Sequence, residues 1–173
     1  MSRAFVKEPD GDSVVDDTPE IPVSPHPNHV TPEGLAALRG ELEDLTTRRR
    51  TLRATTHDAG STAMSAKLEI AAIERRQRYL VQRIDGAIEH NPDQVDPYRI
   101  GFGATVMVED EDGSAHTFTI VGEDEADPAR GLISWTSPLA RQLSEREPGD
   151  EVRWPRPKGD IMLEVVSIRY GME

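Results

Sequence analysis

The sequence predicts two folded parts, an antiparallel pair of long helices followed by a compact α+β domain, with a short acidic segment in front. Three observations carry that reading. Apolar residues recur at steps of three and four in two stretches between Leu35 and Ala87, the stripe of a two-helix seam. From Ile100 onward the apolar period falls to two, the mark of strands with one buried face. Before residue 30 the chain is rich in proline and acid and short of large apolar groups.

Residues 1–29, containing "EPDGDSVVDDTPEIPVSPHPNH", bury too little surface to offset the entropy of ordering them. A mobile acidic, proline-rich tail is expected, with a docking peptide that folds on a partner as the alternative. Order should begin in "VTPEGLAAL". Thr31 suits an N-cap, Pro32 the first helical position, and Glu33 adds negative charge to the first turn. Leu35, Leu38, Leu42, Leu45 and Leu52 form the first stripe; Gly34 and Gly40 weaken that helix. The second stripe is Ile70, Ile73, Gln77, Leu80, Ile84 and Ala87, with Arg75, Arg76, Arg78 and Arg83 off the seam, facing solvent or a partner. "HNPDQVDP" ends the second helix. An antiparallel hairpin over 30–92 follows, with arms of about 25 residues making a rod of roughly 35–40 Å.

The domain over 99–172 opens with "GATVMVEDEDGSAHTFTIVG", two strands around a turn at Asp112–Gly113. "GLISW" gives a third strand and "SPLARQL" a short helix capped by Ser137. "DEVRW" and "DIMLEVVSIRY" supply the last two strands. The expected sheet is antiparallel.

The formal net charge of −12 is spread unevenly. Residues 1–30 sum to −4, residues 31–92 to +1 and residues 93–173 to −9. Such a chain repels a bare phosphate backbone, so independent nucleic-acid binding is excluded and docking on a basic protein surface is favoured. There is no cysteine, which rules out disulfides, a thiol nucleophile and Cys-ligated zinc. No run approaches a membrane span and no secretory leader is visible; a soluble, cytoplasmic protein is expected.

The motifs "VTPEGLAALRGEL", "GFGATVMVEDEDG", "FTIVGEDEAD", "LISWTSPLARQL" and "PGDEV", in that order and spacing, resemble the bacterial transcript-cleavage factors of the GreA/GreB family, from about Val30 to Tyr170. The resemblance implies an N-terminal antiparallel coiled coil that enters the secondary channel of RNA polymerase. It also implies a small FKBP-like C-terminal domain that grips the channel rim. By the same match, rim contacts would fall on Asp124, Glu125, Asp127, Ser137 and Pro138.

In that family, carboxylates at the hairpin tip help hold a second Mg²⁺ in the polymerase active site, where the polymerase supplies the permanent ligands. Counting back without gaps from Arg83–Ile84, the two metal-directed acids fall on Ala63 and Ala66, and a third on Glu69. A methyl group cannot ligate a hard cation. The resemblance therefore implies a regulator of elongation that occupies the channel, brings no metal or cofactor of its own and has no self-contained active site. The alternative is a cleavage-competent factor that uses Asp58 or Glu69.

Arg48, Arg49, Arg53, Arg75 and Arg78 could face extruded RNA inside the polymerase, or be ordinary flanks balanced by acids. His57 beside Asp58 does not make a zinc site. An FKBP-like shape raises a rival activity, peptidyl-prolyl isomerisation, which needs a deep aromatic pocket; Tyr98, Phe102, Phe118, Trp135, Trp154 and Tyr170 are the available rings. A monomer is expected, because the hairpin satisfies its own seam.

Overall fold

The computed structural model describes residues 18–55, 61–91 and 95–171. A short strand β1 (Asn28–Val30) leads into helix α1 (Pro32–Thr55), which is followed by helix α2 (Ser61–Asp85) and strand β2 (Ala87–Glu89). The two helices lie side by side in opposite directions, since Glu41 meets Arg76 while Arg48 meets Glu69. β1 and β2 pair in parallel at the foot of the helices, Asn28 opposite Ala87 and Val30 opposite Glu89.

This foot corrects three expectations. The folded part begins before residue 30, because Asn28 and His29 already belong to β1. Ala87 ends up in β2 rather than extending the helical stripe. Arg83 is not on an outer face; it is 2% exposed. Periodicity places Arg83 off the seam correctly, but the second domain covers that side. Residues 1–17 of the expected tail lie outside the described residues.

The closed cluster of the seam lies at the foot, and burial thins toward the outer end of the described residues. Val30, Leu35, Leu38 and Leu80 form a closed cluster, with Leu42, Leu45 and Ile84 packed half-buried against it. Further out, Ile73 is buried, while Leu52 and Ile70 are half-buried and Leu68 and Met64 are about half exposed. In the middle, the buried Gln77 donates from Nε2 to Thr46 Oγ1 at 2.8 Å. Among the described residues no helix is long and apolar enough to cross a membrane.

The second domain is a five-stranded sheet in the order β5-β4-β3-β7-β6. Its strands are β3 (Thr105–Asp110), β4 (Ala115–Val121), β5 (Leu132–Ser134), β6 (Glu151–Trp154) and β7 (Ile161–Arg169). β3 and β4 turn at Gly113, whose φ of 79° suits glycine, and Asp110 accepts from the amides of Asp112 and Ser114 to fix the turn. The expected all-antiparallel sheet is corrected at one edge. β4 and β5 run parallel, because the chain between them crosses through a one-turn 3-10 helix, Pro128–Arg130, instead of a hairpin.

Helix α3 (Pro138–Leu143) covers one face of the sheet, its N-terminus capped by Ser137 accepting from the Ala140 amide. Leu139, Ala140 and Leu143 pack on Val106, Val108, Phe118, Ile120, Val152, Leu163 and Val165. A bulge shifts the β3–β7 register between Met107 and Val108. The extra residue lets Leu163, Val165 and Ile168 all pack on one core while Val166 faces out.

Candidate functional site

The two parts meet where the loop after β4, Gly122–Asp127, reaches the foot of the helices. α1 starts at Thr31, whose hydroxyl accepts from the Gly34 amide at 2.9 Å. In an ordinary capping box, the third helical residue would be an acid reaching back to the N-cap amide. Here that residue is Gly34, and the acid comes from 91 residues later: Glu125 accepts from the Thr31 amide at 3.1 Å and from its hydroxyl. The same carboxylate accepts from the Gly122 amide at 3.1 Å. A Cβ on Gly34 would lie 2.0 Å from Glu125 Cδ, and one on Gly122 would lie 2.6 Å from the His29 carbonyl. Close approach to backbone requires the glycine at Gly122, whereas a side chain at Gly34 would displace the Glu125 carboxylate from the cap. The helix cap is split between the two parts of the chain.

Beside it sits a charged cluster. Arg83 donates from Nε to Asp124 Oδ2 at 2.6 Å, and its Nη2 lies 3.6 Å from Glu123 Oε2. The Asp124 side chain is 13% exposed. Its other oxygen accepts from the Tyr79 hydroxyl at 2.5 Å. Burial first, and then that hydrogen bond, push the Tyr79 phenol up to about 12, so it stays a donor. Glu123 in turn accepts from Ser24 at 3.0 Å, and Asn28 donates to the Arg83 carbonyl at 2.6 Å.

A cleft of about 360 Å³ opens next to this joint, lined by His29, His90, Phe102, Ile120, Trp135 and Arg141. His90 Nε2 lies 2.7 Å from His29 Nδ1, and His29 meets the Trp135 ring edge-on at 4.8 Å. Burial, and secondarily the neighbouring His29, hold His90 below the usual histidine range. Of the six aromatic rings expected to be available, Phe102 and Trp135 line the cleft. Phe118 is buried in the sheet core, with Trp154 and Tyr170 packed against it, and Tyr98 is exposed.

Four of the residues expected at the rim have hydrogen-bond partners within the chain. Asp124 and Glu125 bind the helices, Asp127 caps the 3-10 turn by accepting from Ala129, and Ser137 caps α3. Pro138 is exposed at the first position of that helix. On the helix pair, Glu69 accepts from Arg48 at 2.7 Å, two turns inside α2. Arg53 meets Glu74 at 2.6 Å with Arg49 3.6 Å from the same acid, and Arg78 forms a forked pair with Glu20. Arg75 sits half-buried on α2. Arg48, Arg49, Arg53 and Arg78, all expected to face RNA, therefore already meet a carboxylate. Ala63 and Ala66 fall in the first two turns of α2; Asp58 and His57 lie outside the described residues. Among the described residues no group of three or more acids or histidines is placed to hold a metal.

Comparison with known proteins bears on the whole of this arrangement. The family described as transcription elongation factor, GreA/GreB, C-term, matches residues 95–170. Transcription elongation factor GreB of Neisseria meningitidis serogroup B is 36% identical over 153 residues, covering 83% of this chain and 94% of its own. The chain belongs to the GreA/GreB family. GreA of Alkalilimnicola ehrlichii is 37% identical over 154 residues, covering 82% of this chain and 97% of its own. Among solved structures, GreA factor homolog 1 of Thermus thermophilus is 26% identical over 83% of this chain and 99% of its own, with a TM-score of 0.40.

For this GreA/GreB chain, sequence reasoning missed Arg83, Tyr79, Thr31 and Gly34 as partners of the "GEDEAD" motif. One signal was available. Gly34 stands where a capping acid belongs, a departure that asks for a substitute from elsewhere.

Proposed function

We propose that the chain is an elongation regulator that binds bacterial RNA polymerase through the secondary channel without itself stimulating transcript cleavage. In this reading the helix pair is a coiled-coil arm that enters the channel, and the second domain is FKBP-like and docks on the rim. The protein acts as a cytoplasmic monomer, and any catalytic Mg²⁺ belongs to the polymerase. One observation carries the proposal: the positions matching the metal-directed acids are Ala63 and Ala66, and the remaining acid, Glu69, is held by Arg48 well inside α2. A reaching arm without oxygen ligands occupies space and supplies no metal chemistry.

The deciding experiment is transcript cleavage on a backtracked elongation complex with Mg²⁺, with saturating protein and binding confirmed separately. The expected result is no cleavage above polymerase alone, with activity appearing in the double variant Ala63→Asp, Ala66→Glu. Cleavage by the native chain would instead establish the cleavage-competent alternative, and Asp58→Asn and Glu69→Gln would show which acid is responsible. Rim docking is best tested with Pro138→Arg, which breaks no intramolecular hydrogen bond, because Asp124→Lys would also dismantle the joint.

A further inference from the structure

The cleft beside the joint has no part in the function proposed above. His29 and His90 from the foot of the helices line it together with Phe102, Trp135 and Arg141, so its wall comes from both parts of the chain. We propose that this cleft binds a small aromatic carboxylate, with the ring against Phe102 and Trp135 and the charge on Arg141.

Charge is the first argument. The lining carries no carboxylate, although residues 93–173 hold 17 acidic against 8 basic side chains. Arg141 is exposed on α3 and makes no ion pair among the described residues. By contrast, Arg99 meets Asp96, Glu145 and Glu147, and Arg153 meets Asp160. A guanidinium without an acid offers an incoming carboxylate two parallel N–H donors. The same charge disfavours a cation.

The second argument is the supply of further donors. The indole Nε1–H of Trp135 is buried and has no acceptor among the described residues. His29 Nδ1 and His90 Nε2 face each other at 2.7 Å and share one proton. Whichever ring holds it, the neutral pair keeps one outer N–H and one outer lone pair. A nearby anion favours the tautomer that turns the N–H toward it.

Shape is the third. His29 meets Trp135 edge-on at 4.8 Å and His90 leans on Phe102 at 4.6 Å, so aromatic surface is continuous from Trp135 to Phe102. Ile120 and Ala140 add buried apolar wall. Surfaces of this kind favour a flat ring, and a bare phosphate would leave them unused. The volume of about 360 Å³ lies at the small end of the range for ligand pockets. An occupant would add contacts across the joint between the two parts. The site does not depend on the polymerase reading, and either can fail without the other.

The test uses indole-3-acetate on the full chain, with neutral indole-3-acetamide as its isostere. The chain has two tryptophans, and Trp154 packs on Phe118 and does not line the cleft, so its indole N–H signal is an internal reference. In an isotope-edited NMR titration the Trp135 signal should shift and saturate with a Kd of about 1 mM, ordinary for so small a ligand. Trp154 should stay in place. The acetamide should bind about tenfold more weakly. In Arg141→Gln the acid should lose about tenfold and the amide little, so that the difference between them vanishes. Phe102→Leu, which keeps bulk and removes the ring, should weaken both probes alike.

Equal affinity of the native chain for acid and amide would overturn the proposal, as would an equal loss of both in Arg141→Gln. An unmoved Trp135 signal at about ten times the expected Kd would overturn it too. If inorganic phosphate shifted Trp135 at lower concentration than indole-3-acetate, the site would be one for a bare anion. If a peptide ending in tryptophan bound more tightly than the free acid, the site would be one for a chain end. Either result would replace the small acid as the ligand.

Discussion

The foot of the helix pair and its outer half use the same kinds of residue for different ends. At the foot, Arg83 is 2% exposed and faces two carboxylates, Asp124 and Glu123. In the outer half, Arg48 and Arg53 are 66% and 59% exposed, each against one glutamate. The buried ion must keep its partners, because an unpaired charge there has no water to turn to. The exposed ones exchange partner for solvent at little cost. The foot is therefore where the chain fixes the relation of its two parts, and the outer half is where it can meet something else.

The contrast can be broken most sharply at Arg83. Arg83→Met strands Asp124 without its cation, and a loss of about 3–5 kcal/mol is expected, read as a fall in urea midpoint. The matching outer variants, Arg48→Ala and Arg53→Ala, should stay within about 1 kcal/mol of the parent. Equal losses at both ends would mean the difference in burial has no energetic meaning.

A smaller effect is expected at the split cap. Glu125→Ala leaves the Thr31 amide without its acceptor and should cost about 1–2 kcal/mol. Gly34→Ala should be comparably harmful although alanine is the better helix former, because its Cβ meets Glu125. A stabilised Gly34→Ala variant in thermal unfolding would show that the Glu125 carboxylate can leave the cap at little cost.

The mildest effect concerns pH. His90 is held below its ordinary value by burial and then by His29, so the unfolded chain takes up that proton more readily than the folded one. Stability contributed here is present above about pH 6.5 and is lost as pH falls through the folded value. His90→Gln should flatten the melting temperature over roughly pH 5 to 7. An unchanged slope would assign the acid sensitivity to other groups.

Much of the fold was legible in the residues. The helix start at Thr31 and Pro32, the turn at Gly113 and the cap at Ser137 are local events, and each lies where its chemistry indicates. The parallel placement of β5 was not legible, because "GLISW" reads the same whichever way its neighbour runs. The "GEDEAD" motif was legible as a family mark. Its acids suggested an outward surface, yet two of them turn inward to Thr31, Arg83 and Tyr79.

The sequence by itself determined the element types, the seam and the family. These rest on period, turn chemistry and residue identity, which are properties of neighbours along the chain. Only the tertiary structure decided which charges are buried, that Glu125 completes the cap of a helix 91 residues away, and that a side chain at Gly34 would displace it. Those facts depend on distance in space, and a carboxylate reads the same in sequence whether it meets water or an arginine.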